Sequence, residues 1–305
     1  MREDSVQFGG SNLIGVVSEP EETEPPRGAP GIILLNSGLI PKMGPNRLYV
    51  TLARRLARQG FTVLRFDLSA IGDSPARSDT RPFRESSVIE TQEAMDFLAR
   101  TRGIETFLLG GICTGAVVAF RTALVAEGVQ GIAMINAQDL VTEQPAQAQA
   151  YVRERAGARY YLRTALRQPR SWGRLLAGRA SYRAIASALR TRIAGSRRGR
   201  QPLATAEAAE VRQGLQRFAD PGTPLLLLYA EGDRGLDELD LILGDDRQWL
   251  DRSPWIDHQV VPGADHMFTL RDKQAAFLDH LEHWAQRAAG QTAGGEAAPT
   301  LQEAP

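Results

Sequence analysis

Gly110-Gly111-Ile112-Cys113-Thr114-Gly115-Ala116 holds the only cysteine of a 305-residue chain. The run before it, Thr106-Phe107-Leu108-Leu109, is short and apolar, as a buried strand is. The run after it, Val117 to Leu124, reads as the first turns of a helix. A strand that turns sharply into a helix, with Gly111 and Gly115 each two positions from one reactive residue, has the physics of a nucleophile elbow. The central residue is held in a strained backbone conformation, and the two glycines sit where a side chain would strike neighbouring backbone. The turn also aims the first N–H groups of the helix at one point, where the helix dipole favours negative charge. Taken alone, the pattern leaves two readings of Cys113 open: a nucleophile, or a small core hydrophobe.

The totals bound the rest. A chain of this length holds one large α/β domain with an insertion, or two small domains. Hydrophobic content of 43% and charged content of 24% are those of a soluble globular protein. Formal net charge is zero, so no global field selects nucleic acid as a partner. One cysteine excludes an internal disulfide and fits a reducing compartment, with the cytoplasm as the expected location. The N-terminal residues lead into no apolar stretch typical of a signal peptide. No run of about 18 apolar residues occurs, so membrane contact is not expected.

Outward from the elbow, strand and helix patterns alternate. Residues 5–18 read as a hairpin about Gly9-Gly10. Gly31 to Leu35 and Phe61 to Phe66 are apolar strands, separated by a helix whose buried face is Leu48, Leu52, Leu56 and Ala57. A further helix is expected over 86–101. Strands follow at 132–136, 225–229 and 255–261, then a helix from about Leu270 to Arg287. This order predicts a mostly parallel, doubly wound sheet covered on both faces. Residues 140–204 contain no strand and read as a helical lid between two strands. The core is then 1–139 with 205–288, and 289–305 is expected to be a disordered tail.

With these features in order, the chain resembles the α/β-hydrolase fold superfamily over roughly residues 5–288. The resemblance rests on Asn36-Ser37-Gly38-Leu39 after an apolar strand, the Asp67…Gly72…Ser74 turn, the elbow, an acid after a late strand and a histidine after the last one. Cysteine in place of the commoner serine is similar to cysteine-nucleophile members such as dienelactone hydrolases and polyhydroxyalkanoate synthases. Of four histidines, His280 and His283 fall inside the terminal helix and His258 inside a strand. Only His266 follows a strand's carboxyl end, where α/β sites form. Asp233 has the best position for the acid, with Glu231, Asp237 and Asp139 as rivals. Asp67 is expected to fix its own loop, with Gly72 and Ser74 structural.

The resemblance implies a triad of Cys113, His266 and Asp233, with the backbone N–H groups of Leu39 and Thr114 as oxyanion donors. The substrate would be a small-molecule ester or thioester, cleaved through an acyl-Cys intermediate. Two other functions stay open: an acyltransferase using the same intermediate, and a catalytically silent binding module on this fold. No metal or cofactor motif is present: there is no H-E-x-x-H, and no G-x-G-x-x-G opens a helix after a strand. Between residues 140 and 200 stand fourteen Arg and two Glu, so that segment carries 14 − 2 = +12. Either this is a solvated amphipathic surface, or part of it receives a substrate carried on an anionic group or a carrier protein. The interleaved Tyr151, Tyr160, Tyr161 and Trp172 would offer apolar area for an acyl chain beneath such a rim.

Overall fold

The computed structural model describes residues 1–21, 29–142, 203–219, 223–244 and 248–293. Eight strands form one sheet: β1 (Arg2–Phe8), β2 (Leu13–Glu19), β3 (Gly31–Leu35), β4 (Val63–Phe66), β5 (Phe107–Ile112), β6 (Val129–Ile135), β7 (Leu225–Ala230) and β8 (Ile256–Val261). Their order is β1-β2-β4-β3-β5-β6-β7-β8. The β1–β2 and β2–β4 pairs are antiparallel and every later pair is parallel. The α-helices among the described residues are α1 (Leu48–Arg58), α2 (Phe83–Arg102), α3 (Thr114–Val125), α4 (Ala206–Ala219), α5 (Arg234–Leu243), α6 (Gln248–Arg252) and α7 (Arg271–Ala293). The mostly parallel, doubly wound sheet expected from the sequence is therefore present.

Side-chain alternation along the central strands feeds two separate cores. Ile33, Leu35, Leu225, Leu227 and Tyr229 face one layer, built with α2, α3, α4 and α5. Ile32, Leu34, Leu226, Leu228 and Ala230 face the other, built with α1 and α7. A strand buried on both faces needs apolar residues at every position, which is why β3 and β7 read as unbroken apolar runs. In α1 the i, i+4 row Leu48, Leu52 and Leu56 is buried, and the helix gives way to Gly60 at φ 99°. Helix α2 ends on Gly103 in the left-handed conformation, whose N–H returns to Ala99 O at 3.0 Å.

Several boundaries differ from the sequence reading. The first hairpin starts at Arg2, and β5 continues to Ile112, carrying the sheet up to the cysteine itself. Helix α2 is longer at both ends than 86–101. Helix α7 runs on to Ala293, so residues 289–293, expected as tail, are helical. The reason is burial: Ala285 and Ala288 are covered by the second core, so the helix is held beyond its polar stretches. Helices α4, α5 and α6 were not foreseen. The Arg-rich segment expected to be a lid lies outside the described residues over 143–202.

Candidate active site

The site lies at the carboxyl ends of β5, β6, β7 and β8. Cys113 follows β5 directly and is the residue before α3, with φ 58° and ψ −117°. A non-glycine residue there is strained by about 1–3 kcal/mol and persists only because the surroundings over-determine it. Two sets of contacts do so. The Cys113 N–H donates to Ile135 O at 2.8 Å, fixing the turn to β6. A Cβ on Gly111 would lie 2.4 Å from the Gly115 carbonyl carbon, and one on Gly115 would lie 2.6 Å from Leu35 O. Neither position has room for any side chain, and the second brings the end of β3 against the start of α3.

His266 sits in the loop after β8, and its Nδ1 meets Asp233 Oδ2 at 2.5 Å. Asp233 is buried, follows β7 and caps α5: its Oδ1 accepts the Gly235 N–H at 2.7 Å. Gln138 Nε2 donates to the same Oδ1 at 2.9 Å and lies 3.1 Å from His266 Nδ1. Asn136, fully buried, donates through Nδ2 to His266 O at 2.8 Å and accepts the Ala230 N–H at 2.7 Å. The histidine loop is thereby tied to β6 and β7 by a side chain rather than by its own length.

The electrostatics follow from these contacts. The hydrogen bond that His266 donates to Asp233 pushes its pKa up to about 10; interaction with Cys113 adds to this, and burial opposes it. At Cys113 burial pushes the thiol up, but the bond with His266 and contacts from Thr114 outweigh it, leaving the thiol below its ordinary value. The Thr114 hydroxyl donates toward Sγ at 3.9 Å. Both shifts favour a thiolate–imidazolium pair at neutral pH.

Cys113, His266 and Asp233 are therefore brought together. The rivals of Asp233 are occupied elsewhere. Asp139 has a side chain that is 67% exposed and pairs with Arg234 at 2.6 Å. Glu231 accepts the Gly263 N–H at 3.0 Å, and Asp237 lies within the first turn of α5. Leu39, 86% exposed, stands on a turn from Ser37 to Ile40 closed by the Ile40 N–H on Ser37 O at 3.1 Å. Gly38 takes φ 58° in that turn. His258 is in β8, and His280 and His283 are on α7.

Asp67 reaches further than its own loop. Its carboxylate accepts the Asp73 N–H at 3.0 Å, but also Asn36 Nδ2 at 3.1 Å and Lys42 Nζ at 2.8 Å. It thus anchors the 36–42 loop that carries Leu39. Gly72 is required beneath it, because a Cβ there would lie 2.3 Å from Oδ2. Ser74 Oγ donates to Asp67 O at 2.6 Å and accepts the Ile14 N–H at 2.8 Å. Sequence reasoning missed Asn136, Gln138 and Tyr49. The first two could have been noticed as polar residues just past the carboxyl end of β6.

A model of the alpha/beta hydrolase family matches residues 39–279. The chain belongs to the alpha/beta hydrolase family. Solved structures agree on the fold. Proline iminopeptidase from Mycobacterium smegmatis is 19% identical at a TM-score of 0.54, covering 95% of this chain and 100% of its own. An esterase from Pyrococcus furiosus is 15% identical at 0.54, covering 94% and 90%. The alpha/beta hydrolase GrgF from Penicillium sp. sh18 is 14% identical at 0.56, covering 95% and 100%. No curated protein matches the sequence. Among the described residues of this alpha/beta hydrolase, no group of three or more His, Cys, Asp or Glu could hold a metal ion. None of its described helices is long and apolar enough to cross a membrane.

Proposed function

We propose that this alpha/beta hydrolase cleaves an ester or thioester through an acyl-Cys113 intermediate. The observations that carry the reading are the His266–Asp233 hydrogen bond and, within electrostatic reach of that imidazole, a thiol held in a strained turn at a helix start. A silent module would have no use for the strain, the buried carboxylate or the raised imidazole pKa.

The steps follow from the charges. Cys113 Sγ, as thiolate, attacks the carbonyl carbon and the π electrons move to oxygen. The Thr114 and Leu39 N–H groups receive that oxyanion, each donor supplying about 3 kcal/mol in the transition state. The oxyanion collapses, and the leaving alkoxide or thiolate takes its proton from His266. The imidazole, now neutral, removes a proton from water as the water attacks the thioester. Collapse of the second oxyanion frees the acid and restores the ion pair. Asp233 keeps the imidazole oriented and stabilises its charged form throughout.

The test is intact-mass analysis after incubation with p-nitrophenyl acetate, under conditions where deacylation is slow. A gain of one acetyl group on the native chain, absent in Cys113→Ala, is the expected result. Turnover in Cys113→Ala equal to that of the native chain would remove the cysteine from the mechanism.

A further inference from the structure

The phenol of Tyr49 is a buried titratable group, bonded to the residue before Cys113, that the mechanism does not use. Tyr49 is 1% exposed and projects from the first turn of α1, on the opposite layer from α3. Its hydroxyl accepts the Ile112 N–H at 2.8 Å and donates to Leu35 O at 3.0 Å. These two residues belong to adjacent strands, whose pairing ends at Leu35 opposite Gly111. One oxygen thus joins the last residue before Cys113 to the last residue before the Asn36–Leu39 turn.

The ring is held in place from two sides. Its backbone N–H donates to Met43 O at 3.2 Å. The chain crosses the ring at Gly44, with φ 69°, where a Cβ would lie 2.6 Å from Tyr49 Cγ. Burial raises the phenol's pKa, the Ile112 N–H lowers it, and charge on Cys113 raises it again, so the hydroxyl lies within electrostatic reach of the nucleophile. A hydrophobic residue would fill this space equally well. A hydroxyl can accept from one strand end and donate to the other through the same oxygen, which a hydrophobic side chain cannot.

We propose that Tyr49 is a positioning residue, whose hydroxyl sets the spacing between the elbow and the Asn36–Leu39 turn and so aligns the two oxyanion donors. The proposal rests on the acyl-Cys113 reading given above. The Tyr49 hydroxyl makes its two hydrogen bonds to the Ile112 N–H and Leu35 O, not to the Cys113 sulfur. Its effect should be confined to steps that generate an oxyanion.

Two reactions of Cys113 separate that role from a merely structural one. Acylation by p-nitrophenyl acetate needs both thiolate and oxyanion donors. Alkylation by iodoacetamide displaces iodide directly and needs the thiolate alone. Tyr49→Phe is expected to slow the acylation burst by about tenfold to a hundredfold, in line with small misplacements of catalytic groups. Its alkylation rate at pH 7 should stay within about twofold of native. Gly44→Ala, which pushes the ring while keeping the hydroxyl, should show the same selective loss. It also serves if Tyr49→Phe does not fold. Unchanged acylation in a folded variant, or equal loss in both reactions, would overturn the positioning role. A native chain that is alkylated but never acylated would instead overturn the acyl-Cys reading, and this proposal with it.

Discussion

Asp233 and His266, 33 residues apart in the chain, meet through a single hydrogen bond of 2.5 Å between Oδ2 and Nδ1. The other carboxylate oxygen is already taken by Gly235 N–H and Gln138 Nε2. The acid therefore has one free oxygen and one direction in which to use it. That arrangement ties the imidazole's charge state to a carboxylate that cannot turn away.

The thiol should report this directly. Burial alone would raise the Cys113 pKa, and His266, helped by Thr114, reverses it. In His266→Ala the burial remains and the counter-charge is gone. Alkylation by iodoacetamide at pH 7 should fall by more than about tenfold, since a thiolate fraction changes tenfold per pKa unit. A rate equal to native would show that the imidazole is not the thiolate's partner.

Stability should carry the same signature with a definite sign. His266 is raised from 6.5 to about 10, so the folded state holds this proton more tightly than the unfolded chain does. Its contribution is complete below about pH 6.5 and disappears as pH rises through about 10. Asp233→Asn removes the first cause of the shift. The stability gap between native and Asp233→Asn, from urea unfolding, should be widest near pH 6.5 and narrow toward pH 10. A gap that does not change across this range would mean that the pair does not hold the proton.

Turnover should follow the triad. Cys113→Ala is expected to lose about three orders of magnitude or more. Cys113→Ser should also be poor, because an alkoxide is harder to form than a thiolate beside the same imidazole. Steady-state hydrolysis of p-nitrophenyl esters measures both. A fully active serine variant would make the sulfur incidental.

The two aspartates near β6 and β7 should behave very differently. Asp139 is an exposed ion-pair partner of Arg234, a type of contact worth about 0–1 kcal/mol. Asp139→Asn should leave turnover within about twofold, whereas Asp233→Asn should cost at least about tenfold. The reverse order, measured on one ester substrate, would assign the acid to the strand before the Arg-rich segment.

The elbow glycines test the geometry itself. In Gly111→Ala a methyl group must fit where the Gly115 backbone lies 2.4 Å away. Backbone cannot step aside as a side-chain tip can, so the cost should reach or exceed the about 1–3 kcal/mol typical of overpacking. Urea midpoints check this. A midpoint equal to native would mean the turn is looser than its close packing implies.

Much of this was legible from residue order alone. Unbroken apolar runs at Gly31–Leu35 and Leu225–Ala230 announce strands buried on both faces, because such strands tolerate nothing else. Gly111 and Gly115 about one cysteine announce the elbow, because the turn has no room for a side chain at either place. His266 could be picked from four histidines because strand ends, not strand interiors, open onto a site. Tertiary structure alone shows which of Asp233, Glu231, Asp237 and Asp139 meets His266, since all four are acidic residues close to strand ends and only the fold brings Asp233 to the imidazole. It also brought in Asn136, Gln138 and Tyr49. Their roles depend on hydrogen bonds across 130, 95 and 63 residues, and no local pattern encodes a contact of that span. The same holds for Asp67: its sequence neighbours suggest a turn, while its reach to Asn36 and Lys42 exists only because β3 and β4 lie side by side in the sheet.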